Sequence, residues 1–394
     1  MTNLPQGWKW KSLGEICFIT YGTHKTPNYI ETGIPFLSVK NISKGFFDLS
    51  DVKYISLEEH NKLIKRAKPE FGDILICRIG TLGKAIKISL EFEFSIFVSL
   101  GLLKPKVKII SDYLVYFLNS CFIEEWINDN KVGGGTHTAK LNLNILEKCP
   151  IALPPLKEQE RIVGILDESF AKIDESIKIL EQNLLNLDEL MQSALQKAFN
   201  PLKDNAKENY KLPQSWEWKS LEEISENISA GGDKPKNCTE SKTAKNQIPV
   251  YANGVNNNGL VGYTDKATII KPSLTISARG TIGFVCIRKE PYFPIVRLIS
   301  LIPCENILCL HYLYFCLNFF IAKGEGSSIP QLTIPKFKSL QIPLPPLKEQ
   351  EQIAKHLDFV FEKTKALKEL YTKELKDYEE LKQSLLNKAF KGKL

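Results

Sequence analysis

A ten-residue phrase occurs twice in this chain. LPPLKEQERI runs from Leu153 to Ile162, and LPPLKEQEQI runs from Leu344 to Ile353, 191 positions later. Each copy reads as a helix opening. The first proline biases the residue before it toward an extended conformation. The second suits a first helical position, where a missing N–H costs nothing. Glu158 and Glu160, like Glu349 and Glu351, then fall in the first turns, where negative charge complements the helix dipole.

The phrase belongs to a longer repeat, and an internal repeat constrains architecture more than any single motif. LPQGWKWKSLGEI (Leu4 to Ile16) returns as LPQSWEWKSLEEI (Leu212 to Ile224), an offset of 208. GTLG (Gly80 to Gly83) returns as GTIG (Gly280 to Gly283), and YLVYFLN (Tyr113 to Asn119) as YLYFCLN (Tyr312 to Asn318), with offsets of 200 and 199. SALQKAF (Ser193 to Phe199) returns as SLLNKAF (Ser384 to Phe390), again 191 positions on. The shrinking offset places about seventeen lost residues inside the second globular part and none in its helix. Residues 17–77 and 225–277 hardly align, so one framework carries two interiors that differ.

After each phrase the apolar residues take alternating spacings of four and three, the pattern of a coiled-coil seam. The first seam runs through Ile173, Ile177, Leu180, Leu184, Leu187, Met191, Ala194 and Ala198. The second runs through Ile353, Leu357, Val360, Leu367, Tyr371, Leu375, Tyr378, Leu381 and Leu385, with Thr364 as a weaker member. At 1.5 Å per residue each helix is on the order of 60 Å long. Each narrow stripe wants one partner helix, and antiparallel pairing of the two copies buries both. A dimerisation coil is the plainer reading of such heptads; matched lengths and a globular part beside each helix favour an intramolecular spacer.

These features predict an α+β chain with two mixed α/β domains in tandem, separated by two long helices in an antiparallel coiled coil with pseudo-two-fold symmetry. The boundaries are 1–152, 153–200, 201–343 and 344–394. Trp8 and Trp10, like Trp216 and Trp218, alternate as in a short strand, and Ser12 and Ser220 precede a helical turn; packing and capping explain these positions. GDILICRIGTLGKAIKI (Gly72 to Ile88) and PSLTISARGTIGFVCIRK (Pro272 to Lys289) each read as strand, glycine turn, strand. Arg78 and Arg279 stand before the turn, Thr81 and Thr281 within it and Lys84 after it in the first copy. A glycine-bounded turn lets backbone approach a partner while a neighbouring cation reaches a phosphate or a guanine edge; simple solvation is the competing reading. A second small-residue loop carries Thr136, His137, Thr138 and Lys140 in the first copy and Ser327, Ser328 and Gln331 in the second. These are phosphate donors by type, or a mere joint between domain and helix.

Composition adds bounds. The chain has 394 residues, 43% of them apolar and 25% charged, which suits two or three globular domains. Its net charge of +7 permits an acidic partner without requiring one. Nine cysteines without paired spacing suit a reducing compartment, and the first residues show no export signal, so a cytoplasmic location is expected. The apolar run from Ile307 to Ala322 is short for a membrane span and holds His311 and Asn318, so it reads as a buried helix. No phosphate-binding P-loop, dinucleotide fingerprint or metal tandem occurs. Cys304, Cys309, His311 and Cys316 lie on an apolar pattern that reads as core rather than zinc ligation. No catalytic constellation emerges.

With the Trp-containing openings at Leu4 and Leu212, the GTLG and GTIG turns, the two PPLKEQE phrases and the heptads after them, the chain resembles the specificity subunits of type I restriction-modification systems over essentially its whole length. The resemblance implies two target recognition domains, each reading half of a bipartite site in double-stranded DNA. It also implies that the helices set the gap and dock two methyltransferase subunits, with motor-nuclease subunits completing the complex. S-adenosylmethionine would belong to the methyltransferase, ATP and magnesium to the motor, and no cofactor to this chain. The resemblance does not specify which residues read bases, since the domains diverge there. The candidates in the first domain are Thr23, His24, Lys25, Lys40, Asn41 and the Arg78 turn. In the second they are Asp233, Lys234, Lys236, the ANGVNNNG stretch with Asn253, Asn256, Asn257 and Asn258, and the Arg279 turn. Asn suits adenine and Arg suits guanine, although Asn-Gly is equally a turn pair. Two rival readings are an enzyme fused to such domains and a coiled-coil scaffold that binds only proteins.

Overall fold

The computed structural model describes residues 4–134, 139–200, 212–321, 324–325 and 332–394. The chain divides into two compact units, residues 1–180 with 373–394, and residues 181–372.

In the first unit, β1 (Lys9–Ser12), α1 (Leu13–Ile16) and β2 (Cys17–Tyr21) follow directly on one another. Ser12 stops the strand because its N–H bonds Glu15 Oε2 at 2.6 Å, half of a capping box that starts the helical turn. There follow β3 (Ile34–Leu37), β4 (Lys53–Ile55), α2 (Leu57–Leu63), β5 (Ile74–Cys77), β6 (Ala85–Lys87), β7 (Ser95–Ile96) and β8 (Leu100–Pro105). Then come α3 (Ser111–Leu118), α4 (Cys121–Asn130), α5 (Leu143–Leu146), β9 (Pro150–Leu153) and the long α6 (Leu156–Phe199). An antiparallel sheet in the order β2-β8-β5-β6 lies at the centre. A smaller sheet is ordered β4-β3-β7, with β3 and β7 parallel, and β1 pairs with β9. The expected strand-turn-strand is β5 and β6, whose turn needs φ of +84° at Gly80 and +81° at Gly83, values that favour glycine.

The second unit repeats this topology. Its elements are β10 (Glu217–Ser220), α7 (Leu221–Ile224), β11 (Ser225–Ala230), β12 (Ile248–Tyr251), β13 (Leu260–Thr264), β14 (Ser273–Ile276), β15 (Thr281–Ile282), β16 (Val285–Arg288), β17 (Phe293–Pro294), β18 (Ile299–Pro303), α8 (Leu310–Phe320), β19 (Gly324–Glu325), α9 (Ile334–Lys338), β20 (Gln341–Leu344) and α10 (Leu347–Phe390). The sheets are ordered β11-β18-β14-β16, β13-β12-β17 and β10-β20, with β15 and β19 as an added pair. The strand orders match across 17–77 and 225–277, where the sequences do not, while α2 has no counterpart in the described residues of the second unit. The apolar run at Ile307 is α8, with Tyr312, Leu313, Phe315, Cys316 and Leu317 buried. No described helix is long and apolar enough to cross a membrane.

The compact units cut across the helix boundaries at 153–200 and 344–394 because each core takes in both helices. In the first unit Phe390, near the end of α10, packs edge-on to Phe117 and Tyr113 at 4.8 and 5.7 Å. In the second, fully buried Phe199 at the end of α6 lies 5.5 Å from both Tyr312 and Phe319. The helix segments run antiparallel in both units. Asp174 meets Lys382 at 2.6 Å in the first, and Asp188 meets Lys368 in the second. Those lysines correct the expected second seam: Leu367 and Leu381 are 39% and 44% exposed, and the adjacent Lys368 and Lys382 take the inward positions. A polar residue at a seam position specifies register at some cost in stability.

The repeated phrase has a specific role in its glutamine. Gln159, 1% exposed, accepts from the Ile110 N–H at 3.0 Å and donates to Pro154 O at 2.9 Å. Gln350, fully buried, accepts from the Cys309 N–H at 2.9 Å and donates to Pro345 O at 2.8 Å and Ile307 O at 2.9 Å. One side chain thus satisfies both the loop before a long helix and the residue just before α3 or α8. Two tyrosines at equivalent positions add a second tie, Tyr113 to Ala152 O and Tyr312 to Pro343 O. Gln350→Ala leaves these main-chain groups buried without partners, at about 1–3 kcal/mol each. Chemical denaturation should show that loss, and an exposed helix substitution such as Lys172→Ala should show almost none.

Candidate nucleic-acid interface

In the first unit the segments that hold the candidates meet at one end of the central sheet. After β2 the chain turns at Gly22, where an added Cβ would lie 1.9 Å from Ile96 O, so only glycine permits the crossing. Thr23 N–H then bonds Ile96 O, Val98 N–H bonds Thr23 O, and Arg78 N–H bonds Ser99 O. Ser99 Oγ accepts from Val39 N–H at 3.1 Å, which adds the turn at Val39–Asn41. Leu141 N–H bonds Arg78 O, and Lys140 bridges to Ile79, which adds the loop before α5. Thr23, Lys40, Arg78, Thr81, Lys84 and Lys140 therefore share one surface with His24 and Lys25. Of these, His24, Lys25, Lys40, Thr81 and Lys140 are exposed, and the Lys84 side chain lies across Gly45.

Two candidates of the first domain face inward. Asn41 is 5% exposed, accepts from Ser38 N–H at 2.9 Å and donates to Asp48 O at 3.1 Å, so its amide holds the turn rather than meeting a base. Arg78 is 7% exposed; its Nε donates to Leu141 O at 3.0 Å and its Nη1 to Val98 O at 3.2 Å. Burial pushes its pKa below the ordinary value, and the Arg66 charge pushes the same way. The supposed equivalence of Arg78 and Arg279 fails by one residue. Leu332 N–H bonds Ala278 O as Leu141 N–H bonds Arg78 O, so Ala278 is the counterpart of Arg78, and Arg279 is exposed on the neighbouring position. Thr136, His137, Thr138, Ser327, Ser328 and Gln331 lie outside the described residues.

The corresponding end of the second unit is organised around Asn253. Its Nδ2 donates to Val296 O at 2.6 Å and its Oδ1 accepts from Ala278 N–H at 2.9 Å, while Gly254 N–H bonds Ser277 Oγ. Asn253 is therefore a brace. Asn256, Asn257 and Asn258 are exposed, and Asn257 and Asn258 take φ of 51° and 53°, which asparagine tolerates. Arg288 supports this turn by donating from Nη2 to Asn258 O at 2.5 Å and stacking 3.5 Å from the Tyr251 ring centroid. Val296 N–H and Arg297 N–H bond Gly232 O and Gly231 O, which brings Asp233, Lys234 and Lys236 close in sequence to the same end. Asp233, Lys234 and Lys236 are exposed; Thr281 is half-buried, its hydroxyl without a partner among the described residues.

Two arginines at these ends, Arg66 and Arg297, carry no motif. Val296 and Arg297 have φ of 53° and 59°, a conformation costly for a β-branched side chain, and both are exposed. Arg66, after α2, stacks 4.0 Å from the Tyr21 ring centroid. One sequence signal does point to them: the chain has only six arginines, at 66, 78, 161, 279, 288 and 297. Arg161 alone is on a long helix. The Cys304–Cys316 group shows no ligand arrangement: His311 Nδ1 faces Asp358 Oδ2 at 2.7 Å, and burial pushes the Cys316 thiol well up.

The two turn arginines give opposite expectations. Arg78→Ala leaves two buried carbonyls without donors and should cost about 1–3 kcal/mol for each unsatisfied group. Arg279→Ala, at an exposed position, should stay within about 0.5 kcal/mol. Urea denaturation of both variants distinguishes brace from free contact.

The profile of the family described as the type I restriction modification DNA specificity domain matches residues 5–185 and 213–377. A type I specificity subunit of Mycoplasma pneumoniae (S.MpnORF507P) is 31% identical over 272 residues, 68% of this chain and 69% of that one. The EcoKI specificity subunit of Escherichia coli K12 is 24% identical across 99% of this chain and 90% of its own length. A solved chain from a study of complex assembly and conformational transition of the type I R-M system superposes over the full length of both chains with a TM-score of 0.82 at 21% identity, which establishes a shared fold. The two matched segments fall one in each half of the repeat, and the chain belongs to the type I restriction modification DNA specificity family.

Proposed function

We propose that this chain is the DNA-reading subunit of a type I restriction-modification complex, each domain recognising one half of a bipartite, asymmetric site in double-stranded DNA. The observation that carries the reading is one backbone topology, used twice, whose corresponding ends present unlike side chains: His24, Lys25 and Lys40 in one, Arg279, Arg297 and the asparagine turn in the other. Shared backbone gives both domains the same way of approaching a duplex. Different side chains give each its own bases.

In this reading the long helices set the gap between half-sites and dock two methyltransferase subunits, to which motor-nuclease subunits add. The chain itself performs no catalysis and holds no cofactor. S-adenosylmethionine serves the methyltransferase, ATP and magnesium serve the motor, and the complex acts in the cytoplasm.

The test is a genome-wide map of methylated adenines in cells with the chain and its methyltransferase, compared with cells that lack only this chain. A split motif with a fixed gap should vanish with the chain; an unchanged pattern in an otherwise active system rejects the reading. Removing one heptad from each helix shortens both by about 10 Å. The expected result is an altered gap with both half-sites intact, and a changed half-site with the old gap would refute the spacer role.

A further inference from the structure

Tyr21 closes β2 opposite Gly101 of β8, and Ile76 of β5 lies on the other side of Gly101. Gly101 has no side chain, so the Arg78 stem crosses above it: an added Cβ there would lie 3.1 Å from Arg78 Cδ and 2.9 Å from Ile76 Cγ2. The Arg78 guanidinium reaches 4.6 Å from the Tyr21 ring centroid, Arg66 stacks 4.0 Å from the same centroid, and the His24 ring meets it edge-on at 5.0 Å. Two full cations thus share one aromatic ring. No carboxylate pairs with either guanidinium among the described residues, although the chain pairs many of its lysines this way. Arg78 uses Nε and Nη1 on main-chain carbonyls, and its Nη2 has no partner among the described residues.

We infer that the Arg66–Tyr21–Arg78 stack is an oxyanion site that holds one backbone phosphate of the DNA bound by the first domain. This rests on the DNA-reading role proposed above and adds to it a named contact. Charge favours an anion, because like charges held together without a counter-ion are relieved by one brought in by the ligand. Geometry favours phosphate over a base edge. Arg78 is tied to two carbonyls and cannot extend into a groove, whereas Arg66, exposed and held over the ring, offers the N–H fork that matches two phosphate oxygens. His24 and Lys25 stand beside it as further donors.

Among its described residues the second domain has no such site. By strand register the position of Tyr21 is Ala230, that of Gly101 is Ile299 and that of Arg78 is Ala278. Nothing among the described residues there corresponds to α2 and the Arg66 that follows it. The clamp therefore belongs to one half-site only.

The test uses the full chain assembled with its methyltransferase subunits on a duplex bearing the mapped site, with affinity measured across a salt series. Arg66→Ala and Tyr21→Leu should each weaken binding by about tenfold, equally on the cognate duplex and on duplexes with one changed base pair in the first half-site. Each should also lower the salt dependence by about one unit of log K per log[salt], the signature of one lost phosphate. Lys62→Ala removes an equal charge from α2, just before Arg66, and should leave the slope unchanged. A methylphosphonate at the contacted position should weaken the wild type and leave Arg66→Ala unaffected. If Arg66→Ala instead relaxes the choice at one base pair, the stack reads a base and the phosphate assignment is wrong. If affinity and slope both stay at wild-type values, the stack is not at the interface. If the wild-type assembly binds no split site, the DNA-reading role itself falls, and this inference with it.

Discussion

A primary amide buried at the start of each long helix holds three pieces of this protein together. Gln159 and Gln350 each carry one acceptor and a pair of donor hydrogens, and each uses both kinds on main-chain groups that would otherwise be orphaned. The partners belong to the loop that delivers the chain into the long helix and to the residue just before α3 or α8. Those shorter helices pack on the central sheets, and Tyr113 and Tyr312 each donate a hydroxyl to β9 or β20, the strand that leads into the same loop. Helix, loop and sheet are therefore positioned by one residue with no conformational latitude. Glutamate could not donate in its place, and an apolar residue of similar size would strand the carbonyls.

From that joint the two ends of each domain diverge in character. Next to the helices the packing is aromatic and closed, with Phe390 or Phe199 inserted beside a tyrosine. At the candidate interface main-chain bonds, with glycine crossing backbone at Gly22 and Gly231, join the loops together with a few side-chain braces such as Asn253 and Arg78. The main-chain bonds do not depend on which side chains the loops carry. The loops can then present Lys40 and His24 in one case and Arg279 and Arg297 in the other without disturbing the sheet beneath.

Much of this was legible in the sequence, for identifiable reasons. The repeat, the capping serines and the glycine turns depend on local chemistry, and Ser12, Ser220, Gly80 and Gly280 act as that chemistry requires. The shared strand order across 17–77 and 225–277 was hidden, because sheet pairing constrains alternation and not identity. The arginines before the turns differ by a single position: on extended backbone one step exchanges the inside for the outside, so Arg78 is a brace and Arg279 is exposed. The second seam drifted at Leu367 and Leu381 because an ion pair with α6 drew the neighbouring lysines inward, a tertiary effect that a hydrophobic pattern does not record. Asn253 suits an adenine edge by residue type, and in the structure its amide is the hub that joins two loops.

The placement of Phe390 bears on the order in which the protein comes into being. Leu386, Ala389 and Phe390 belong to the core of the first domain, whose other residues end by Leu166. The second domain receives Leu195 and Phe199 before most of its own strands exist. On the ribosome, at roughly 5–20 residues per second, more than two hundred residues follow Leu166 before Phe390 appears, a wait of about 10–45 s. The domain made first is thus the one completed last, and through that interval the face of Tyr113 and Phe117 stays open. Loss of only the final few residues would strike the beginning of the chain, leaving the second domain whole and the first without its lid.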